Sequence, residues 1–413
     1  MHILVVHQYF LGKNDAGGSR WNQFAKYWAR KGHKITVLAG TVHYSTGKKQ
    51  PKYKGKFIVT ERECENVTVK RCYVSGAYNK SSLGRMWGYV SFAFSSILGG
   101  LFVKKPDIIV CSSPPLTVGV TGAILSKLKR VPMVFEVRDL WPESVVDVGA
   151  VTNKWVIKFM YWIQRLSYNS ARWINVLTPA FEETLVNASN VAREKISMIP
   201  NAADLDIIQP GPRGNWVRQK HNLSNKFVVT YVGAHGVANT LMQLIEAAKI
   251  LKDKDHNVQI MLVGGGMEKP MLMEEARKNN LNNVTFVEPV PKTEIGDYIN
   301  ASNVCTAVLK RIELYKTVYP NKVFDYMAAA KPIIIGVDGV ARELIETAQA
   351  GLFAEPENPQ AFVEAIMKLK NDSDLADRLG QNGLRYVREN FSREKLSEKY
   401  LAILERLTEG QTH

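Results

Sequence analysis

Val228-Val229-Thr230-Tyr231-Val232-Gly233-Ala234-His235-Gly236 is a short apolar run that ends in a glycine-bounded loop, and Gln259-Ile260-Met261-Leu262-Val263-Gly264-Gly265-Gly266 repeats the form. Between them, Leu241–Lys252 carries its apolar residues at helical spacing. Strand, helix, strand, with glycines where each strand ends, is the pattern of a βαβ unit in a parallel sheet covered on both faces. Further apolar runs follow at Val284–Val287, Val304–Val308 and Pro332–Ile335, with a helical pattern at Thr293–Ala301. The same alternation fills the first half, with runs at Ile3–His7, Ile35–Ala39, Ile108–Cys111, Met133–Val137 and Trp173–Leu177. The series restarts near residue 200, after Ile196–Pro200, across a polar stretch containing Gln209-Pro210-Gly211-Pro212-Arg213-Gly214. The fold class is therefore α/β, with two Rossmann-like, doubly wound domains and a cleft between them. The boundaries expected are 1–200 for the first domain, 201–225 for a linker, 226–385 for the second domain, and 386–413 for a C-terminal helix packing back on the first.

Composition narrows the classes. With 413 residues, 46% hydrophobic and 23% charged, the chain is neither collagenous, nor disordered, nor a small disulfide scaffold. Cys64, Cys72, Cys111 and Cys305 form no C-x-x-C pair and have no accompanying His cluster, so reduced thiols and a cytoplasmic setting are expected. The N-terminus reads as a first strand rather than a signal peptide. The net charge of +15 is uneven: residues 1–200 hold 28 basic and 12 acidic side chains, and residues 201–413 hold 26 and 27. Much of the surplus (Lys48, Lys49, Lys52, Lys54, Lys56, Lys80, Arg85) precedes Met86–Val103, which has 18 residues and no charge. Its glycines and serines, and the strand that follows, favour a helix buried against the sheet; a helix dipping into one leaflet beside basic anchors is the alternative. The first domain is expected to face an anionic membrane surface. No recognition motif or stacking platform for nucleic acid is present, so none is expected as a partner.

Five stretches carry candidate chemistry. Gly17-Gly18 follows the first strand, either as a simple turn or as a close backbone approach to a ligand. Arg138-Asp139-Leu140-Trp141-Pro142-Glu143 gathers ionisable groups at the end of a buried strand. Arg138 can pair with phosphate or with Asp139, and Asp139 and Glu143 can hold sugar hydroxyls or accept a proton. The loop after Val232 offers His235, Gly236 and Asn239. Gly265 lies in a turn that is not G-x-G-x-x-G, because Lys269 stands where the last glycine would be; with only Glu288 near the next strand's end, NAD binding is poorly supported. Tyr319-Pro320-Asn321-Lys322-Val323-Phe324-Asp325 reads as a helix start. The amides of Asn321–Val323 would be free donors for a diphosphate, Lys322 would add charge, and Asp325 would reach ribose hydroxyls. Lys310 and Arg311, at the end of the preceding strand, could neutralise a leaving diphosphate. Two D-x-D patterns, Asp204-Leu205-Asp206 and Asp253-Lys254-Asp255, do not follow apolar strands, so no metal and no cofactor are expected.

These stretches, with Ile199-Pro200-Asn201-Ala202-Ala203-Asp204 and the helix ending in Ala330-Lys331-Pro332, make the whole chain resemble family 4 glycosyltransferases of the GT-B type, and within them the WbuB-like N-acetylfucosamine transferases of O-antigen and capsule assembly. The chain departs from the family pattern in two places. Thr317 stands where many members have the first acid of a Glu-x7-Glu pair ending here at Asp325, and His235 and Asn239 stand where an Arg/Lys pair is usual. The resemblance implies a retaining, metal-independent transfer from a UDP-sugar donor to a polyprenyl-diphosphate-linked saccharide acceptor, by an enzyme peripheral on the inner face of the plasma membrane. A UDP-sugar epimerase of the same architecture, a nucleic-acid-binding protein and a non-catalytic membrane scaffold are the alternatives.

Overall fold

Each apolar run named above is a strand, because a run of that length with no polar interruption is stable only when both faces of its sheet are covered. The computed structural model describes residues 1–12, 20–43, 48–78, 81–146, 149 and 151–409. It divides into two units, Met1–Pro200 with Glu394–His413, and Asn201–Arg393.

The first unit runs β1 (His2–Val6), α1 (Arg20–Arg30), β2 (Lys34–Gly40), β3 (Ile58–Cys64), β4 (Val67–Cys72), α2 (Ser82–Leu101), β5 (Ile108–Ser112), α3 (Thr117–Lys129), β6 (Met133–Val137), α4 (Glu143–Val146), α5 (Lys154–Ser170), β7 (Trp173–Val176), α6 (Pro179–Ser189) and β8 (Ile196–Met198). Its sheet has the order β3-β4-β2-β1-β5-β6-β7-β8, parallel except for the β3–β4 hairpin. That hairpin escapes a search for continuous apolar runs. Its strands carry Glu61, Arg62, Glu63, Lys70 and Arg71, as a sheet edge does.

The second unit runs α7 (Trp216–Lys220), β9 (Phe227–Val232), α8 (Met242–Lys254), β10 (Val258–Val263), α9 (Lys269–Lys278), β11 (Val284–Val287), α10 (Lys292–Asn300), β12 (Val304–Val308), α11 (Lys322–Ala328), β13 (Ile333–Gly336), α12 (Val340–Thr347), β14 (Gly351–Phe353), α13 (Pro359–Asn371) and α14 (Ser373–Asn390). Its parallel sheet has the order β11-β10-β9-β12-β13-β14. Val229, Tyr231, Ile260, Leu262, Val304 and Ile334 form one face of its core with Leu244, Ala248 and Phe362 from the helices.

The 201–225 stretch, read as a linker, belongs to the second unit and contains α7. Its buried Arg218 explains why: the guanidinium donates to the carbonyls of Ala301, Leu223, Ser224 and Lys226 and to Asn303 Oδ1, so the segment is fastened down. A last helix, α15 (Arg393–Glu409), is counted with the first unit from Glu394 onward; Trp28 Nε1 donates to Ser397 O at 3.0 Å.

The first unit is also fastened by a buried ion pair. Arg20 Nη2 lies 3.0 Å from Glu136 Oε2, with side chains 3% and 0% exposed. Arg20 also donates to the Ile199 and Pro200 carbonyls, and Glu136 accepts from Ser112 Oγ and Asn175 Nδ2. Each charge thus has the partners that burial demands.

Candidate active site

In sheets of this kind ligands settle beyond the carboxyl ends of the strands, where the strand order reverses. In the second sheet that point lies between β9 and β12. The loops after β9, β10 and β12 and the start of α11 surround it.

The first two loops interlock. Gly233 N donates to Val263 O, His235 N to Gly265 O and Glu268 N to His235 O, each at 2.9 Å. The fit is too close for side chains: Gly264 has φ of +140°, and a β-carbon there would lie 1.9 Å from Gly233 O. Lys269 then clamps the glycine turn, its Nζ donating to Gly264 O and Val287 O at 3.0 Å and to Glu288 Oε1 at 2.6 Å. The acid considered for an NAD ribose is thus engaged by the lysine that breaks the glycine fingerprint.

His235 is buried, and neither ring nitrogen has a hydrogen-bond partner among the described residues. Burial, with repulsion from Lys269 and Lys322, lowers its pKa to about 4, so the ring is neutral at pH 7. Two unused polar atoms on a buried neutral ring form a receptor for a donor and an acceptor. Gly236 opens the 3-10 turn Val237–Asn239, and the Asn239 amide nitrogen of the side chain would come within 3.9 Å of a β-carbon on Gly236.

Lys322 Nζ sits 3.7 Å from the centre of the Tyr231 ring. A β-carbon on Gly233 would lie 2.8 Å from that nitrogen, so the ammonium occupies the space above the glycine that ends β9. It makes no ion pair among the described residues, and burial lowers its pKa to about 7. The loop that lacks the family's usual Arg/Lys pair thereby receives a cation from α11.

Lys310 and Arg311 part company with this cluster. Arg311 Nη1 pairs with Glu355 at 2.8 Å, and both residues line a separate cavity of about 270 Å³ with Lys316, Asp338 and Arg342. Lys310 contributes through its backbone, its amide donating to Ala238 O at 2.9 Å, while its side chain is exposed. The helix start also needs one correction. The Val323 amide, expected to be free, donates to Pro320 O at 3.0 Å because Pro320–Val323 closes a turn before the helix. The amides of Asn321 and Lys322 have no acceptor among the described residues. Thr317 Oγ1 donates to Leu314 O at 2.7 Å, completing its own 3-10 turn.

Asp325 is half-buried and its pKa is raised to about 6, by burial and by Asp204, against the pull of Lys292 and Arg393. Lys292 is held 3.2 Å from Asp204. Asp204, set aside with its D-x-D pattern, therefore contributes to the field at Asp325; Asp255 of the other pattern pairs with Lys370. Neither Tyr231 nor Asp204 stands out in the sequence as a site residue. The signals were present, an aromatic within a buried strand and an acid following Pro200-Asn201.

In the first unit Arg138, Asp139 and Glu143 follow β6 as expected. Arg138 and Asp139 form no ion pair; Arg138 instead acts on His7, which burial and that charge hold at a pKa of about 3. Asp139 keeps an accessible surface, yet crowding by protein raises its pKa to about 6 against the pull of Arg138. Gln164 Nε2 fixes the turn between them, donating to Trp141 O at 3.0 Å and reaching Glu143 Oε1 at 3.5 Å. Gly17 and Gly18 lie outside the described residues.

Two family models match this chain: "Glycosyl transferase 4-like domain" over residues 16–202 and "Glycosyl transferases group 1" over residues 215–386. The chain belongs to the family 4 glycosyltransferases of GT-B type. This glycosyltransferase is 23% identical over 380 residues to the putative colanic acid biosynthesis glycosyl transferase WcaI of Escherichia coli, covering 89% of this chain and 91% of the relative. It is 24% identical over 310 residues to the capsular polysaccharide biosynthesis glycosyltransferase CapM of Staphylococcus aureus, covering 72% and 77%. Among solved structures it is similar to sucrose-phosphate synthase from Thermosynechococcus elongatus (TM-score 0.77, 18% identity, 99% and 100% of the two chains). It is also similar to Anabaena HepE in complex with UDP-glucose (TM-score 0.71, 16% identity, 98% and 100%). At these identities the structural likeness speaks for the fold, and the glycosyltransferase activity rests on the family.

Proposed function

We propose that this glycosyltransferase transfers a sugar, with retention, from a UDP-sugar to a saccharide carried on polyprenyl diphosphate during assembly of a bacterial surface polysaccharide. The observation that carries the donor reading is the Lys322 ammonium above Gly233, close enough to act on His235, with no anionic partner for the lysine and no partner for the ring nitrogens among the described residues. A diphosphate supplies the missing anion, and the Asn321 and Lys322 amides add donors. Asp325 takes the ribose hydroxyls, and the uracil lies toward Gly265 and the loop of Val287–Pro291. The bound nucleotides of solved neighbours and the named pathways of WcaI and CapM support the substrate class.

In the reaction the bond between the anomeric carbon and the diphosphate oxygen breaks, and the acceptor hydroxyl forms its bond on the same face. Its proton passes to the departing diphosphate. Lys322 stabilises the charge that develops on that group, a gain made mainly in the transition state. Asp139 and Glu143 hold acceptor hydroxyls in the first unit, with Arg138 set toward an anionic group of the acceptor. No metal ion is assigned to these steps.

The test is a panel of UDP-sugars incubated with and without a short-chain lipid-diphosphate saccharide, with UDP and product read by mass spectrometry. UDP released only with acceptor, together with an extended acceptor, is the expected result. Interconversion of UDP-sugars without acceptor points to an epimerase, and no reaction under either condition overturns the reading.

A further inference from the structure

The first unit presents an apolar face that no part of the described chain covers. On α2 the exposed residues recur one helical turn apart at Leu83, Trp87, Val90 and Phe94, with Leu101 two turns further on; Leu83, Trp87 and Phe94 are 77%, 59% and 61% exposed. On α5 they are Trp155, Phe159 and Trp162, with Trp155 79% exposed. Ile124 and Leu128 are exposed on α3, which packs against both α2 and α5. Three neighbouring helices thus turn large apolar side chains outward, where a soluble protein exposes few.

The charges on these helices have one sign. None of the three carries Asp or Glu, and the ionised residues are Arg85, Lys127, Lys129, Lys154, Lys158 and Arg165. Lys127 also lines a cavity of about 1080 Å³, where Arg130, Arg172, Lys195 and Arg406 are joined by a single acid, Glu194, among the described lining residues. Two copies of this face would bring like charges together without a counterion. Aromatic and aliphatic side chains set among Lys and Arg match instead the boundary between the acyl chains and headgroups of an anionic bilayer. No helix among the described residues is long and apolar enough to cross a membrane, which leaves lying on it.

We infer that the outer faces of α2, α3 and α5 together dock this glycosyltransferase on an anionic lipid surface, with α5 as a second insertion element beside α2. The surface thus extends well beyond Met86–Val103 and the lysines before it. Those lysines are partly committed elsewhere, Lys52 to Glu61 at 2.8 Å and Lys49 to the Tyr73 ring. The inference rests on the proposed function only for its purpose, presenting the enzyme to a lipid-linked acceptor.

The test is co-sedimentation of the full chain with phosphatidylcholine vesicles and with vesicles containing phosphatidylglycerol, read beside the blue shift of tryptophan emission. Binding is expected only with phosphatidylglycerol, and salt should weaken it. Trp155→Ser with Trp162→Ser, and separately Trp87→Ser with Phe94→Ser, should each reduce binding at least about ten-fold, and Lys154→Glu with Lys158→Glu by a similar factor. Melting temperatures should stay unchanged, because the side chains are exposed. Equal binding to both vesicles, no binding to either, undiminished binding by the α5 variants, or self-association abolished by the same variants would each overturn the inference. UDP release on a water-soluble acceptor should persist in all variants. Its absence in the parent chain, with vesicle binding intact, would count against the proposed function and leave the docking surface standing.

Discussion

Lys322 Nζ stands 3.7 Å from the centre of the Tyr231 ring, so a helix start contributes a cation to the loop that ends the first strand of the second unit. The aromatic face holds the ammonium in place of a carboxylate, which leaves its charge available to a ligand. Burial has already brought its pKa to about 7.

Lys322→Ala should weaken UDP binding by about 1.5–3 kcal/mol, roughly 10–100-fold in Kd, the range for losing a hydrogen bond to a charged group. Isothermal titration calorimetry checks it. Binding of the parent protein should weaken between pH 7 and 9, with proton uptake on binding, because the free site loses its charge just where the diphosphate needs it. The linkage to stability has the opposite sign. A lysine whose folded pKa lies below its unfolded value makes the free protein gain stability as pH rises from about 7 toward 10.

Asp325→Asn should separate binding from stability. Its folded pKa of about 6 lies above the ordinary carboxylate value of 3.8, so the folded state binds the extra proton and stability is lost as pH rises through that window. At pH 7.5 the substitution should therefore raise the melting temperature of the free protein, by up to about 1–2 kcal/mol of stability, while weakening UDP binding about ten-fold or more. Thermal unfolding and calorimetry on the same samples decide it.

Asp139→Asn should lower kcat on the lipid-linked acceptor by about 10²-fold, the cost of misplacing the acceptor hydroxyl, and leave the Kd of UDP unchanged, since Asp139 belongs to the first unit. A change in UDP affinity of similar size would place it on the donor instead.

Gly264→Ala should destabilise the second unit by about 3 kcal/mol or more, because a β-carbon would meet Gly233 O at 1.9 Å on a backbone at φ +140°. Gly55→Ala, with positive φ but nothing within 4 Å, should lose only about 1 kcal/mol, so the difference in denaturant midpoint isolates the close approach.

Arg20→Ala should destabilise the first unit by about 3–5 kcal/mol by leaving Glu136 buried without its counterion. Replacing both by apolar residues, Arg20→Met with Glu136→Leu, should restore much of the loss. Chemical denaturation followed through tryptophan emission reads both.

Much of this was written locally. A continuous apolar run can be satisfied only by a strand covered on both faces, so β6, β11 and β12 were expected with the residue bounds they have, and the chain's restart near residue 200 follows from the same periodicity. Glycines at strand ends marked the turns, and Asp325 and Lys322 were singled out from their place in a helix start. The edge hairpin β3–β4 was missed because edge strands carry charge, and the fastening of 201–225 because one buried arginine reaches a carbonyl 83 residues away in sequence.

What tertiary structure decided is which charges meet. Lys310, Arg311 and Lys322 were equal claimants in the sequence; folding sends Arg311 to Glu355 and sets Lys322 over Tyr231 against Gly233. Glu136 looked like one residue of an apolar run until Arg20, 116 positions away, was found beside it. The outward apolar faces of α2, α3 and α5 likewise became one surface only when the helices packed side by side. Periodicity is a property of neighbours along the chain and survives in the sequence. The pairing of charges and the joining of helix faces depend on distances through space, which only the packed chain sets.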